Sequence, residues 1–308
     1  MIDETNIYDI IVIGGGPAGF TAALYAVRAG LDTLVIERLA AGGQMALTQE
    51  IDNYPGFDEG INGLTLAQKM QAGAERFGAK TLIAEVTGVK LNENIKQIET
   101  SEGTFMCRAV IIATGAGPRR LGLKNETELI GRGVSYCAAC DGMFFKDKTV
   151  AVVGGGNSAV HEALILARTS RKVFLIHRRG ELRASKIYHQ KLREAANIEL
   201  FPFCEVTELL HEETLSGIRV RESAAGKERD ISCDGLFVSI GREPETKLFR
   251  EVLQLDESGY IIADETTRTS LPGVFAAGDI RAKDVRQIVT ATADGAVSAH
   301  FAQEFLLE

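Results

Sequence analysis

Ser135-Tyr136-Cys137-Ala138-Ala139-Cys140-Asp141-Gly142 sets two cysteines three residues apart, with a carboxylate directly behind them. Residues i and i+3 share one face of a helical turn, so the two sulfurs can reach bonding distance and cycle between dithiol and disulfide. A thiolate opening a helix is favoured by the unpaired N–H groups and the dipole there, which lowers its pKa and makes it a nucleophile near neutral pH. Asp141 then stands where it can pass protons to and from a leaving thiolate, provided burial raises its own pKa. Two blander readings compete. A closed zinc site needs four ligands, and the chain has no second Cys-x-x-Cys and no His-x-x-x-His. The other alternative is a pair of small buried hydrophobes without chemistry, and whether the rest of the chain supplies electrons decides against it.

The elements that must position this pair begin at the N-terminus. Tyr8 to Ile13 reads as a short apolar strand, Gly14-Gly15-Gly16-Pro17-Ala18-Gly19 follows, and Phe20 to Ala29 reads as a helix. Strand, G-x-G-x-x-G and helix in that order form a dinucleotide fingerprint. Gly14 permits the tight turn, Gly16 lets a pyrophosphate approach the backbone, and Gly19 lets the helix pack on the strand. The next strand, Thr33 to Ile36, ends in Glu37 beside Arg38. A carboxylate there accepts hydrogen bonds from a ribose and repels a 2′-phosphate, so this site is expected to hold FAD or NAD and not NADP. Gly42-Gly43-Gln44 and the stretch around Asn53 suit a loop wrapping a flat polar ring, although alone they read as ordinary turns. Residues 65–78 read as an amphipathic helix and 81–105 as a small sheet. A buried strand then stops at Ala113-Thr114-Gly115 beneath the cofactor.

A second fingerprint, Gly154-Gly155-Gly156-Asn157-Ser158-Ala159, again lies between a strand (Val150 to Val153) and a helix (Val160 to Ala167). Its second strand, Lys172 to Ile176, ends in His177-Arg178-Arg179, with Arg183 a turn later. No acid meets the ribose here, and guanidinium forks suit a 2′-phosphate, so this site is expected to hold NADPH. A helix is expected over 188–197 and strands over 200–240. Near the C-terminus, Gly278-Asp279 follows a short strand, and Asp279 can accept hydrogen bonds from a ribityl chain. Arg286-Gln287-Ile288 opens a helix running to about Leu307, whose N-terminus can stabilise negative charge on a reduced flavin.

The chain has 308 residues, enough for two domains, with 45% hydrophobic and 25% charged residues. A net charge of -8 argues against a general nucleic-acid partner and against an anionic membrane surface. No run of 18 apolar residues and no signal-like N-terminus is found, so the chain reads as cytoplasmic. Five cysteines are too few for a disulfide scaffold, which makes the 137–140 pair catalytic redox in a reducing compartment and leaves Cys107, Cys204 and Cys233 as core residues. The five histidines make no metal-ligand spacing, and no metal is expected.

With these residues in place, the chain resembles the low-molecular-weight, bacterial-type thioredoxin reductases over essentially its whole length. The matching elements, in order, are GGGPAG (14–19), GGQ (42–44), ATG (113–115), CAACD (137–141), GGGNSA (154–159), HRR with RA (177–179, 183–184) and AAGD with RQ (276–279, 286–287). The fold class is α/β with two Rossmann-like dinucleotide-binding domains, and the resemblance implies that the NADPH domain (117–243) is inserted into an FAD domain made of 1–116 and 244–308. It further implies electron flow from NADPH through FAD and the cysteine pair to thioredoxin. Cys140 would stand next to the flavin, Cys137 would attack thioredoxin and Asp141 would be the acid. Rotation of the inserted domain and a homodimer through the FAD domains are implied likewise. His161 departs from the acid that many members carry, as does Arg242-Glu243 from their usual pair. A relative that reduces peroxiredoxin is expected to carry an N-terminal thioredoxin-like extension, which a fingerprint beginning at residue 14 leaves no room for. Dithiol oxidases and ferredoxin-driven relatives are expected to lose HRR and GGGNSA, and a non-enzymatic flavin scaffold would have a cysteine pair that never titrates with reductant.

Overall fold

The computed structural model describes residues 6–48, 50–223 and 226–308. The chain packs into two compact units, Met1–Gly117 with Glu243–Glu308, and Pro118–Arg242. The first opens with β1 (Ile7–Ile13), α1 (Pro17–Arg28) and β2 (Thr33–Glu37). There follow α2 (Gly63–Glu75), β3 (Lys80–Ile83), β4 (Val86–Lys90), β5 (Lys96–Thr100), β6 (Gly103–Ile112) and β7 (Ala116–Pro118). β3, β2, β1 and β6 lie side by side in parallel, and β5 and β4 extend the same sheet antiparallel. The strands expected over 81–105 are present, but they belong to this larger sheet and not to a small one. β6 is ten residues long: β1 pairs with one of its edges, and along the other edge its first half, Gly103 to Cys107, carries β5 while its second half carries a late strand, Val274–Ala276.

The ends of β1 (Ile10 to Ile13) and β6 (Ala109 to Ile112) are apolar without a break because both faces of the sheet are covered there. Alternation sorts their side chains. Ile10, Val12, Ala109 and Ile111 join one core with the alanines of α1, and Ile11, Ile13, Val110 and Ile112 join the opposite core. α1 begins three residues before the sequence reading places it, because Gly16 caps it and Pro17 suits its first position. α2 spans 63–75 and not 65–78. The Asn62 side chain accepts the Thr65 N–H at 3.1 Å, and the chain turns at Gly78 with φ +104°.

The second unit contains β8 (Val134–Ser135), α3 (Ala138–Asp141), β9 (Thr149–Val153), α4 (Asn157–Leu166), β10 (Lys172–His177) and α5 (Lys186–Glu194). It continues with β11 (Ile198–Pro202), β12 (Cys204–His211), β13 (Leu215–Glu222), β14 (Glu228–Ser232) and β15 (Gly235–Val238). A parallel sheet runs β11-β10-β9-β15-β8, and β12, β13 and β14 form an antiparallel sheet. α5 ends before the residues expected to close it, since Ala195 is already extended.

The joining segments β7 and β16 (Arg242–Pro244) pair with each other. The chain then adds β17 (Val274–Ala276), parallel to the second half of β6, and α6 (Ile288–Leu307). α6 lies almost backbone to backbone on α1: a Cβ on Gly295 would stand 2.3 Å from the Ala18 carbonyl oxygen.

Candidate functional site

Cys137 and Cys140 form a disulfide, with Cα atoms 5.3 Å apart. β8 delivers the pair and α3 carries it. The expected helix is short, four residues followed by a tighter turn over Gly142–Phe145, so no long-helix dipole acts on the sulfurs. A local donor is present instead: the Cys140 N–H points at the Cys137 sulfur at 3.2 Å.

The Ser135 hydroxyl donates to Asp141 Oδ2 at 2.5 Å and accepts the Cys137 N–H at 3.1 Å. One side chain therefore ties the carboxyl group to the first cysteine. Burial raises the Asp141 pKa, and the Ser135 hydrogen bond opposes it without cancelling it. Tyr136, between Ser135 and Cys137, donates to Glu126 at 2.8 Å. Glu126 is buried and also takes the backbone N–H groups of Leu121, Gly122 and Leu123. Ser135 and Glu126 were not legible as partners in the sequence, because neither lies at a spacing that a motif fixes. Cys107, Cys204 and Cys233 are buried, and burial pushes the thiols of Cys107 and Cys233 up to about 12. Cys107 and Cys233 therefore hold no appreciable thiolate at neutral pH.

In the first unit the candidate cofactor residues converge at the carboxyl ends of β1, β2 and β6. Gly14 turns with φ +106°, and a Cβ there would stand 2.5 Å from the Ala113 carbonyl, next to Thr114 and Gly115. A Cβ on Gly19 would stand 1.9 Å from the Gly14 carbonyl, whereas one on Gly16 would meet no protein atom within 4 Å. The Gly16 side is thus open for a pyrophosphate at the α1 N-terminus, where Pro17 and Ala18 begin the helix. Glu37 ends β2, and its carboxylate accepts the N–H of Gly15 at 2.7 Å and of Leu39 at 3.2 Å, with Arg38 exposed beside it. Gly42 donates to the Gly15 carbonyl at 2.7 Å, which brings Gly43 and Gln44 to the same loop. From the late part of the chain, Gly278 reaches Ala18, where a Cβ would approach within 2.9 Å, and Asp279 follows it. Asn53 donates to Gln287 at 3.1 Å just before Ile288 opens α6. The Arg286 guanidinium lies 4.1 Å over the Tyr260 ring with its Nε unpaired. This open, amide-lined cradle fits FAD.

The second unit repeats the arrangement at β9, β10 and β15. A Cβ on Gly154 would stand 2.2 Å from the Ser239 carbonyl, as on Gly14 against Ala113, and Gly156 again faces open space. At the residue ending the second strand the two units part. Where Glu37 holds Gly15, the His177 ring lies against Gly155, at 2.2 Å from a Cβ built there, and its Nε2 bonds the Glu181 carbonyl at 3.1 Å. His177 is buried, and burial, helped by the charges of Arg183, Arg179 and Arg178, lowers its pKa against the bond to Glu181, so it is a neutral support beneath the loop. Arg178, Arg179 and Arg183 are exposed. The Arg183 N–H donates to the Gly155 carbonyl at 2.7 Å, and Asn157, beside Ser158, accepts the Ser185 N–H at 2.8 Å. The charges of all three arginines reach His177 beneath the second glycine loop, and exposed guanidinium groups near that loop suit a 2′-phosphate. Among the described residues no group of His, Cys, Asp and Glu is set to hold a metal, and no helix is long and apolar enough to cross a membrane.

The family model for pyridine nucleotide-disulphide oxidoreductases matches residues 8–295. The thioredoxin reductase of Listeria monocytogenes is 46% identical, the alignment covering 100% of this chain and 97% of the relative. That of Mycolicibacterium smegmatis is 43% identical, covering 100% and 99%. Among solved structures, thioredoxin reductase from Streptococcus pyogenes superposes with a TM-score of 0.92 at 40% identity, covering 98% of each chain. Lactococcus lactis thioredoxin reductase, in an FR conformation, gives 0.69 at the same identity, covering 97% and 99%.

Proposed function

The chain belongs to the pyridine nucleotide-disulphide oxidoreductases and, within them, to the thioredoxin reductases, and we propose that it reduces thioredoxin with NADPH through FAD and the Cys137–Cys140 pair. The observation that carries the proposal is that pair, closed as a disulfide with a carboxyl of raised pKa tied to it through Ser135. We assign FAD to the unit built from both ends of the chain, and NADPH to the unit between them. The opposite endings of β2 and β10, Glu37 against His177-Arg178-Arg179, support that assignment.

Bound FAD supplies the two-electron step between NADPH and the disulfide. Two electrons and two protons open the Cys137–Cys140 bond to two thiols. Cys137, as thiolate, attacks one sulfur of the thioredoxin disulfide, and the other thioredoxin sulfur leaves and takes up a proton. Cys140 then attacks the Cys137 sulfur, which restores the bridge and frees dithiol thioredoxin. Cys137 attacks because the Cys140 N–H favours its thiolate, and Cys140 stays within reach because both belong to one turn. Asp141 holds the proton that leaving thiolates need, since burial keeps its carboxyl protonated to higher pH than usual.

Rotation of Pro118–Arg242 about β7 and β16 is part of the reading, because one cysteine pair serves both a flavin and a protein partner. Relatives of equal identity with TM-scores of 0.92 and 0.69 support a family with more than one arrangement. A homodimer and a cytoplasmic location are inferred from the family resemblance, and light scattering on the purified protein tests the first. The deciding experiment is anaerobic stopped-flow mixing with NADPH and then with thioredoxin. Bleaching of the flavin band followed by thioredoxin-dependent recovery is expected. Bleaching without recovery would move the acceptor elsewhere, and no bleaching would remove NADPH as the donor.

A further inference from the structure

The segment Gly278 to Ile288 carries five of the candidate FAD contacts, yet beyond a three-residue turn and a single bridge between Ile261 and Arg281 it has no regular structure before α6. Something other than backbone pairing must give it shape. Asp294, inside α6 and 7% exposed, accepts four hydrogen bonds, all from this segment. Its Oδ2 takes the Gly278 N–H at 2.9 Å, Arg281 Nε at 2.9 Å and Lys283 Nζ at 2.8 Å, and its Oδ1 takes Arg281 Nη2 at 3.0 Å. Lys283 also donates to the Thr290 carbonyl at 3.3 Å, and Thr290 Oγ1 takes the Gln287 N–H at 3.1 Å. One carboxylate therefore fixes the first residue of the segment directly, its middle through two cations, and its last turn through Lys283 and Thr290.

We propose that Asp294 is the positioning residue of the flavin cradle, holding Gly278–Ile288 in its FAD-binding shape. This rests on the assignment of FAD to this unit. Asp294 would act through the segment: it takes the Gly278 N–H, and Gly278 packs on Ala18 at the start of α1. Burial on its own would raise the Asp294 pKa, but the bonds from Arg281 and Lys283 outweigh it and hold the carboxyl below the usual range, so the hub is charged at neutral pH. Arg281 and Lys283 are as buried as Asp294 around it, so the cluster carries one net positive charge and depends on the carboxylate to remain folded inward.

The test uses apoprotein stripped of flavin. FAD rebinding is followed by quenching of FAD fluorescence, and 2′,5′-ADP binding to the other unit reports that the chain is folded. Asp294→Asn is expected to weaken FAD at least tenfold while 2′,5′-ADP binding is unchanged. A second variant, R281M/K283M/D294L, replaces the cluster by apolar groups, which restores stability without the clamp. Its FAD affinity is expected to stay weak. FAD affinity that recovers with stability in this variant, or that is unchanged in Asp294→Asn, would overturn the proposal. On the unsubstituted apoprotein, the Gly278 amide is expected to exchange at least a hundredfold more slowly than a free amide. Free exchange there would also overturn it, whatever the variants do. An unsubstituted apoprotein that binds no FAD would instead refute the cofactor assignment itself.

Discussion

Removing Arg178 and Arg179 together, as Arg178→Ala and Arg179→Ala, separates the two nicotinamide cofactors. Both side chains are exposed near the second glycine loop, and neither has an ion-pair partner among the described residues. A charge-assisted hydrogen bond is worth about 1.5 to 3 kcal/mol. Exposure and a Debye length of about 8 Å at physiological salt place each contact at the lower end. Two contacts then contribute about 3 kcal/mol, and since 1.4 kcal/mol is tenfold, KM for NADPH rises roughly 100-fold. NADH lacks the 2′-phosphate, so its KM stays nearly constant. The assay is steady-state thioredoxin reduction with each cofactor at low and high salt. Raising the salt weakens NADPH less in the double variant, which keeps Arg183, than in the parent protein. Equal losses for NADPH and NADH, or a salt dependence as steep as that of the parent, would refute the argument that these guanidinium groups read the 2′-phosphate.

Cys137→Ser is expected to abolish thioredoxin reduction while NADPH still bleaches the flavin, and turnover in this variant would show the nucleophile to be misassigned. Burial pushes the Glu162 carboxyl up to about 7, with its bond to Ser239 and the charge of Arg242 opposing. The fold therefore binds this proton more tightly than the unfolded chain does. The stability it contributes is complete below about pH 4.5 and is lost as pH rises through about 7, on the order of 3 kcal/mol in all. Glu162→Gln should flatten that slope in denaturant titrations from pH 4.5 to 8, and an unchanged slope would assign the pH dependence elsewhere. Gly16→Ala should leave the unfolding midpoint of the apoprotein unchanged but weaken FAD, because its Cβ would enter open space. Gly19→Ala should instead lower the midpoint by several degrees, since its Cβ would stand 1.9 Å from the Gly14 carbonyl. Calorimetry that ranks the two alike would count against the cradle as described.

Local chemistry made much of this protein legible from its residues. A Cys-x-x-Cys closes in one turn because three residues fix the distance between the sulfurs, and a glycine at 14 or 154 announces a strand-to-helix turn that other residues resist. Glu37 and His177-Arg178-Arg179 end equivalent strands with different residue types, a contrast visible in the sequence itself. Tertiary structure decided what depends on partners distant in sequence. β4 and β5 joined the main sheet because β6 was long enough to offer them an edge. His177 went under Gly155 while its neighbour Arg178 stayed exposed, because successive side chains along a strand point to opposite sides. Ser135 became the link between Asp141 and Cys137 only when β8 and α3 folded against each other. Spacing along the chain sets which groups can meet within a turn, whereas burial and hydrogen bonding between distant segments set which of them carry charge and which way they point.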